Sequence, residues 1–387
     1  NVMWSWWISN AIRMKGMRDK AFLGAVDRQG KQFVISYNYD TDTYERVYFD
    51  EKREDDHNAV AVVDSLFGRI HVFFTGHGGT NTIHYTRTTD IEGIDEFEPL
   101  KELTASGMVT YVQAFRFQAA MYLFYRINVP GATYWCIRRS ADGGINFGEE
   151  IRLFEGTSMY AKFVQSQSYP DLLHVYAYAH PITGRTNNIY HCTIDMKNQR
   201  VLKYTNGAYV DIGATNDPNQ EPITFEDMEL AYDADSQGEK TRLLDASDRG
   251  RAFVFATYTD VNDAEYYYRE YGAQQWRDKV KIADAGLPIE EPAGNNFYFA
   301  GVSFLSGTKD VLYVARENNG TWYMEKYRSN DDGFSFELEK VIDSSDTLKI
   351  FRPLCLVNGD EEHAGFYLKG QYTTYHDYRT DLFRLEG

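Results

Sequence analysis

The stretch SADGGINF at residues 140–147 has a near copy in SNDDGFSF at residues 329–336. Both fit Ser-x-Asp-x-Gly-x-x-aromatic, and both follow a strand-like run that ends in Arg. The pattern has a physical reading as a hairpin turn. Ser and Asp oxygens accept backbone N–H groups of the turn, Gly takes a backbone conformation that other residues avoid, and the aromatic plugs the hairpin. A third stretch, TTDIEGIDEF at 88–97, reads as a degenerate version.

Around these turns lie short runs rich in Val, Ile, Phe and Tyr. They are AFLGAVD (21–27), QFVISYNY (32–39), RIHVFFT (69–75), TIHYTR (82–87), AMYLFYRI (120–127), TYWCIRR (133–139), LLHVYAYA (172–179) and NIYHCTI (188–194). The second half repeats the style with RAFVFATY (251–258), AEYYYRE (264–270), DVLYVAR (310–316), TWYMEKYR (321–328) and HAGFYLK (363–369). Gly, Asp, Asn and Ser separate them, and no long segment shows a 3.6-residue period. That is an antiparallel all-β signal. The two turns resemble the Asp-box of sialidase-like propellers. At about 40–50 residues per blade, 387 residues hold seven or eight blades. The expected fold is a seven-bladed β-propeller of four-stranded antiparallel blades, in one domain over 1–387. Residues 211–222 and 284–296 read as long loops.

Composition narrows the partners. Acidic residues number 57 against 40 basic, a net charge of −17, and no dense Lys/Arg tract occurs. This argues against a nucleic-acid binder but leaves room for an anionic ligand held by a few arginines in a cleft. No run of 18 apolar residues occurs, so no membrane insertion is expected. Three cysteines, with no CxxC, do not make a disulfide scaffold. The start at Asn1, with no charged-then-apolar leader, reads as that of a processed chain and says little about export. Aromatic residues make up 16% and supply flat amphipathic surfaces for sugars.

The chemistry is concentrated early. In REDDHNAVAVVDSLFGRIHVFFTGHGG (53–79), His57 stands in a polar loop and His77 in a Gly-flanked loop one hairpin later. Such a hairpin can bring both to one end of a blade as a general acid–base pair; the plainer reading is two polar surface loops. Further on, Tyr122 and Arg138 are expected as cross-strand neighbours, with Tyr134, Cys136 and Arg138 sharing a face. An Arg at a strand end can bind a carboxylate bidentately.

The opening WSWWISNAIRMKG, the DDHN at 55–58, the HGG at 77–79 and the SADGG at 140–144 together resemble the ulvan lyases built on a seven-bladed propeller. The resemblance covers about residues 1–150 and implies β-elimination on an anionic sulfated polysaccharide, ulvan. The uronate C5 proton is removed and the C4 oxygen expelled. It also implies a secreted or periplasmic enzyme. It casts His57 and Tyr122 as acid and base, in either order, Arg138 as the carboxylate partner and His77 as support. Asn58 helps neutralise the acid group, and Arg126, Arg139 and Arg185 contribute a positive cleft. Trp4, Trp6 and Trp7 either stack on sugars or close the propeller, the second reading being preferred.

No cofactor is required for this chemistry. A structural zinc is a separate expectation, with Cys136, His174 and Cys192 as ligands and a fourth unnamed; the alternative is buried cysteines and a satisfied histidine. Calcium at the Asp-rich turns is a weaker expectation. Two other functions stay open. One is a sialidase-like hydrolase, with Arg13, Arg138 and Arg352 as a triad and Tyr378 as nucleophile. The other is a carbohydrate-binding propeller without catalysis.

Overall fold

The computed structural model describes residues 11–49, 61–64 (backbone only), 68–76, 78–180, 187–290, 297–374 and 377–386. The first blade is β1 (Ala11–Lys15), β2 (Asp19–Val26), β3 (Gln32–Asn38) and β4 (Thr43–Tyr48). The second is β5 (Ala61–Asp64), β6 (Ile70–Thr75), β7 (Thr82–Arg87) and β8 (Lys101–Thr104). The third is β9 (Met108–Phe117), β10 (Ala120–Val129), β11 (Ala132–Ser140) and β12 (Ile151–Glu155). The fourth sheet holds β13 (Met159–Gln165), β14 (Leu172–Ala179), β15 (Ile189–Asp195), β16 (Arg200–Thr205), β17 (Ala208–Ala214) and β18 (Glu229–Tyr232). The fifth holds β19 (Lys240–Ala246), β20 (Ala252–Tyr258), β21 (Glu265–Gly272), β22 (Gln275–Trp276) and β23 (Val280–Asp284). The sixth is β24 (Gly301–Phe304), β25 (Val311–Asn318), β26 (Thr321–Arg328) and β27 (Glu337–Ser345). The seventh is β28 (Lys349–Cys355), β29 (Gly365–Thr374) and β30 (Asp377–Leu385).

These seven consecutive antiparallel sheets make the fold a seven-bladed β-propeller, mostly of four-stranded blades. Among the described residues the helical segments are two single 3₁₀ turns, Phe225–Asp227 and Asp235–Gln237. None is long and apolar enough to cross a membrane. The expected loop over 211–222 is in part strand, since β17 runs to Ala214. The chain divides into two compact units. One contains Asn1–Met159, Asp195–Val201 and Ile212–Thr224; the other contains the remainder.

Burial explains why these residues form these strands. In the first unit, alternate residues of β6 face opposite ways. Ile70, Val72 and Phe74 join Ile12, Phe22 and Val34 of the first blade. Phe73 joins Met121, Leu123, Tyr125 and Ile127 of the third. A strand buried on both faces reads as a continuous apolar run. The outer strand β4 is almost wholly exposed, and its TYERVY carries no such run.

Both Ser–Asp turns close as their sequences require. In the first, Ser140 Oγ donates to Asp142 at 2.7 Å and accepts from Gly144 N at 2.8 Å. Asp142 also accepts from Ile145 N and Asn146 N. In the second, the Ser329–Asp331 bond is 2.8 Å, Gly333 N donates to Ser329 Oγ, and Ser335 N donates to Asp331. Phe147 packs edge-on to Phe73 and Tyr85, and Phe336 packs on Tyr268. The 88–97 stretch closes differently. There the Thr88 hydroxyl accepts from Ile70 N and donates to Asp90 O.

Gly144 has φ +82°, and a Cβ there would meet the His71 ring at 2.8 Å. Gly143 has φ +73°, and a Cβ there would meet only Ala119 O, at an ordinary 3.9 Å. Gly143→Ala should therefore cost roughly 1–2 kcal/mol from backbone conformation alone, and Gly144→Ala about 1–3 kcal/mol more from overpacking. Equal losses in a urea titration of the two variants would refute this account of the turn.

Candidate functional site

Four of the expected site residues, His57, Asn58, His77 and Arg185, lie outside the described residues, as do Trp4, Trp6 and Trp7. The neighbours of His77 locate the hairpin that carries it. Thr75 Oγ1 donates to Thr82 O at 2.8 Å, and Gln32 Nε2 donates to Thr75 O at 2.8 Å. Gly78 N donates to Val109 O at 3.0 Å, and Val109 N donates to Thr80 O at 2.8 Å. The β6–β7 connection is thus tied to the start of β9.

At that end of the third blade, the register between β9 and β10 slips. Gln113 pairs Phe124 and Thr110 pairs Arg126, so Tyr111 and Val112 oppose Tyr125 alone. This is a β-bulge, which re-aims a side chain. Tyr111 sits at φ +57°, a conformation uncommon outside Gly and Asn. The Arg126 guanidinium lies 4.4 Å from the centroid of the Tyr111 ring. Tyr111 is 1% and Arg126 7% exposed. Among the described residues the buried Thr110 hydroxyl has no hydrogen-bond partner. A desolvated guanidinium in such a pocket exerts a stronger field on an anion than one in water.

Arg126 was legible as the one charge in AMYLFYRINV. Tyr111 was not, because nothing in MVTYVQAFRF marks the bulge that turns it.

The expected Tyr122–Arg138 pair does not form. Tyr122 pairs Arg139, and Arg138 pairs Leu123, a one-residue offset that puts Tyr122 and Arg138 on opposite faces of the sheet. The Tyr122 hydroxyl is buried; it donates to Met196 O at 2.9 Å and accepts from Arg139 Nε at 3.2 Å. Arg138 is also committed. It donates to Tyr125 Oη at 2.8 Å, Thr104 O at 2.6 Å and Gly148 O at 3.1 Å, and lies 3.8 Å from Glu150. Both residues sit at the Asp-box end of the blade. Val109, tied to Gly78, pairs Ile127, five positions along β10 from Tyr122 and so about 16 Å away.

In the other unit, Tyr372 Oη donates to Glu290 Oε2 at 3.3 Å and accepts from Arg352 Nη2 at 3.3 Å, all three buried. Tyr378, the expected nucleophile, stacks on the Tyr372 ring at 6.2 Å. Arg13, another member of that expected triad, is paired with Asp19.

The expected metal ligands have other surroundings. Cys136 is fully buried in the apolar cluster with Phe73 and Tyr125. Burial raises the Cys136 and Cys192 thiols well above their ordinary range. His174 Nδ1 faces His191 Nε2 at 3.2 Å. Arg251 Nη2 donates to His191 Nδ1 at 3.3 Å. His191 therefore carries its proton on Nε2 and donates to His174. Arg251 also pairs with Glu229 and lies 3.7 Å from the Tyr271 ring centroid. Among the described residues no three His, Cys, Asp or Glu side chains form a group that could hold a metal ion.

The seven blades and the two Ser–Asp turns define an Asp-box β-propeller. The chain belongs to the BNR repeat-containing family, whose sequence signature matches residues 20–285. No curated protein sequence matches it. Among solved structures it is similar to an ulvan lyase of a new polysaccharide lyase family, bound to -[GlcA(1-4)Rha3S]-. The TM-score is 0.73 at 14% identity, over 98% of this chain and 95% of that one, and a second structure of an ulvan lyase gives the same figures. The β-propeller domain of the Trilobed protease from Pyrococcus furiosus gives 0.46 at 11% identity over 98% of both chains. At these identities the likeness bears on the fold.

The buried histidines set an acid limit on the fold. Burial, reinforced by Arg87, lowers His71 from 6.5 to about 4. Burial, reinforced by Arg251, lowers His174 to about 4, and His191 is held well below its ordinary value by burial, Arg251 and His174. Neutral imidazole is favoured only in the folded chain. Its contribution is complete above about pH 6.5 and is lost as pH falls toward 4, at roughly 3 kcal/mol per shift of this size. Melting temperature should fall steeply from pH 6.5 to 4, and His71→Phe should flatten that slope; an unchanged slope would refute the assignment.

Proposed function

We propose that this protein is a polysaccharide lyase that cleaves an ulvan-type polysaccharide by β-elimination at its uronic acid. The observation that carries the reading is the buried Arg126–Tyr111 pair, set beside the hairpin that follows β6. The likeness of the fold to an ulvan lyase supports it. A polymer of this kind is met outside the cytoplasm, where the enzyme would act.

The chemistry asks for three things at one place. A cation must neutralise the uronate carboxylate, because an ionised carboxylate opposes loss of the C5 proton; this role falls to Arg126. A base takes the C5 proton, the electrons form the C4=C5 bond, and the C4–O bond breaks. An acid protonates the departing oxygen. Tyr111 supplies a phenol beside Arg126 and takes one of the two proton-transfer roles, with His57 as the other and His77 in support. Tyr122 drops out, because its hydroxyl is spent on Met196 O and Arg139.

One observation favours a second reading. The buried Tyr372–Glu290 pair with Arg352 alongside has the components of a hydrolase that uses a tyrosine nucleophile.

Purified protein with ulvan should develop the ultraviolet absorbance of an unsaturated uronate. Arg126→Ala should lower turnover roughly 10²–10³-fold, Tyr111→Phe should also lose most of it, and Tyr122→Phe should keep it within about threefold, as expected of a surviving fold. An active Tyr111→Phe beside an inactive Tyr122→Phe would reverse the assignment. Reducing ends released without absorbance, and abolished by Tyr372→Phe, would instead establish the hydrolase.

A further inference from the structure

One cavity lies away from the Arg126 end. It measures about 910 Å³ and lies at the opposite, Asp-box end of the first three blades. Met121 forms part of its wall, five residues along β10 from Arg126 and so about 16 Å distant. The volume lies within the ~300–1,000 Å³ usual for small-molecule sites.

Its walls are pre-formed. The Glu92 carboxylate accepts from Met17 N and Arg18 N, joining the β1–β2 turn to the β7–β8 connection. Lys20 Nζ donates to Glu92 O at 2.9 Å. Glu98 accepts from Arg69 at 3.0 Å and from Arg87 at 2.8 Å, so two guanidinium groups share one carboxylate. The guanidinium of exposed Arg18 has no partner among the described residues. Beneath the Asp-box turn, buried His71 has no hydrogen-bond partner among the described residues, and Arg87 and Arg69 both work against its protonation.

Two further features narrow the ligand. The walls include exposed apolar side chains, Met17 at 86% and Ile91 at 55%, suited to the C–H face of a pyranose. The exposed carboxylates of Asp90 and Asp95 also line it, and they can accept hydrogen bonds from sugar hydroxyls. We infer that this cavity is a second, non-catalytic binding site for an acidic glycan, an anionic group of it held by Arg18, Arg69 and Arg87. The choice of glycan rests on the proposed function; the site itself does not.

The test uses an oligosaccharide with two GlcA(1-4)Rha3S repeats and calorimetric titration of the Arg126→Ala protein, in which the reaction end is impaired. Saturable 1:1 binding is expected, weakened roughly tenfold or more by Arg18→Glu and by Ile91→Asp, and unaffected by Leu338→Asp in the other unit. Both test positions are exposed, and unchanged melting temperatures check that the variants fold. A desulfated oligosaccharide that binds equally well assigns the anion to the carboxylate; one that fails assigns it to the sulfate. No saturable binding at millimolar ligand, or binding indifferent to both substitutions, overturns the site. Cavity binding by a protein that leaves ulvan uncut would overturn the lyase reading alone.

Discussion

Burial of the central strands of each blade on both faces is the constraint from which the rest follows. In β6 the alternation sends Ile70, Val72 and Phe74 one way and Phe73 the other, so one strand serves two packing layers. A one-residue slip would exchange the two sets and place every side chain in the wrong layer. The turns must then hold register, and the Ser–Asp turns do so with several side-chain-to-backbone hydrogen bonds each.

Because antiparallel strands reverse at each turn, every blade has two ends with different connections. In the first unit the Asp-box turn, Tyr122 and Arg138 belong to one end, and the β6–β7 connection, Tyr111 and Arg126 to the other. Strand length separates them. Residues close in sequence, such as Tyr122 and Arg126 on one strand, therefore serve different regions. The bulge in β9 adds what regular pairing cannot, a tyrosine turned over an arginine.

Three arginines lie against aromatic rings. Arg126 lies over Tyr111, Arg352 bonds Tyr372, and Arg251 is enclosed by Tyr204, Tyr271 and Trp276. An aromatic face stabilises a cation, and at Arg251 it does so beside the Glu229 carboxylate. The high tyrosine content thus has an electrostatic use as well as a packing one.

The thirteen strand-like runs read from the sequence fall on β2, β3, β6, β7, β10, β11, β14, β15, β20, β21, β25, β26 and β29. Those are central strands, whose double burial writes an apolar run into the sequence. Outer strands such as β4, with TYERVY, and short inner strands such as β24 leave no such mark, yet the run spacing and the Ser–Asp turns were enough for the architecture. The site was legible only in part. Arg126 stood out as a charge within an apolar strand, whereas Tyr111 depends on a bulge that no local residue pattern announces. The Tyr122–Arg138 spacing suggested a partnership that cross-strand register then denied, because alternation is decided by the pairing of two strands and not by separation along one. Strand identity was thus settled by local side-chain chemistry, while which side chains meet was decided by register and bulges, which exist only once the sheets have formed.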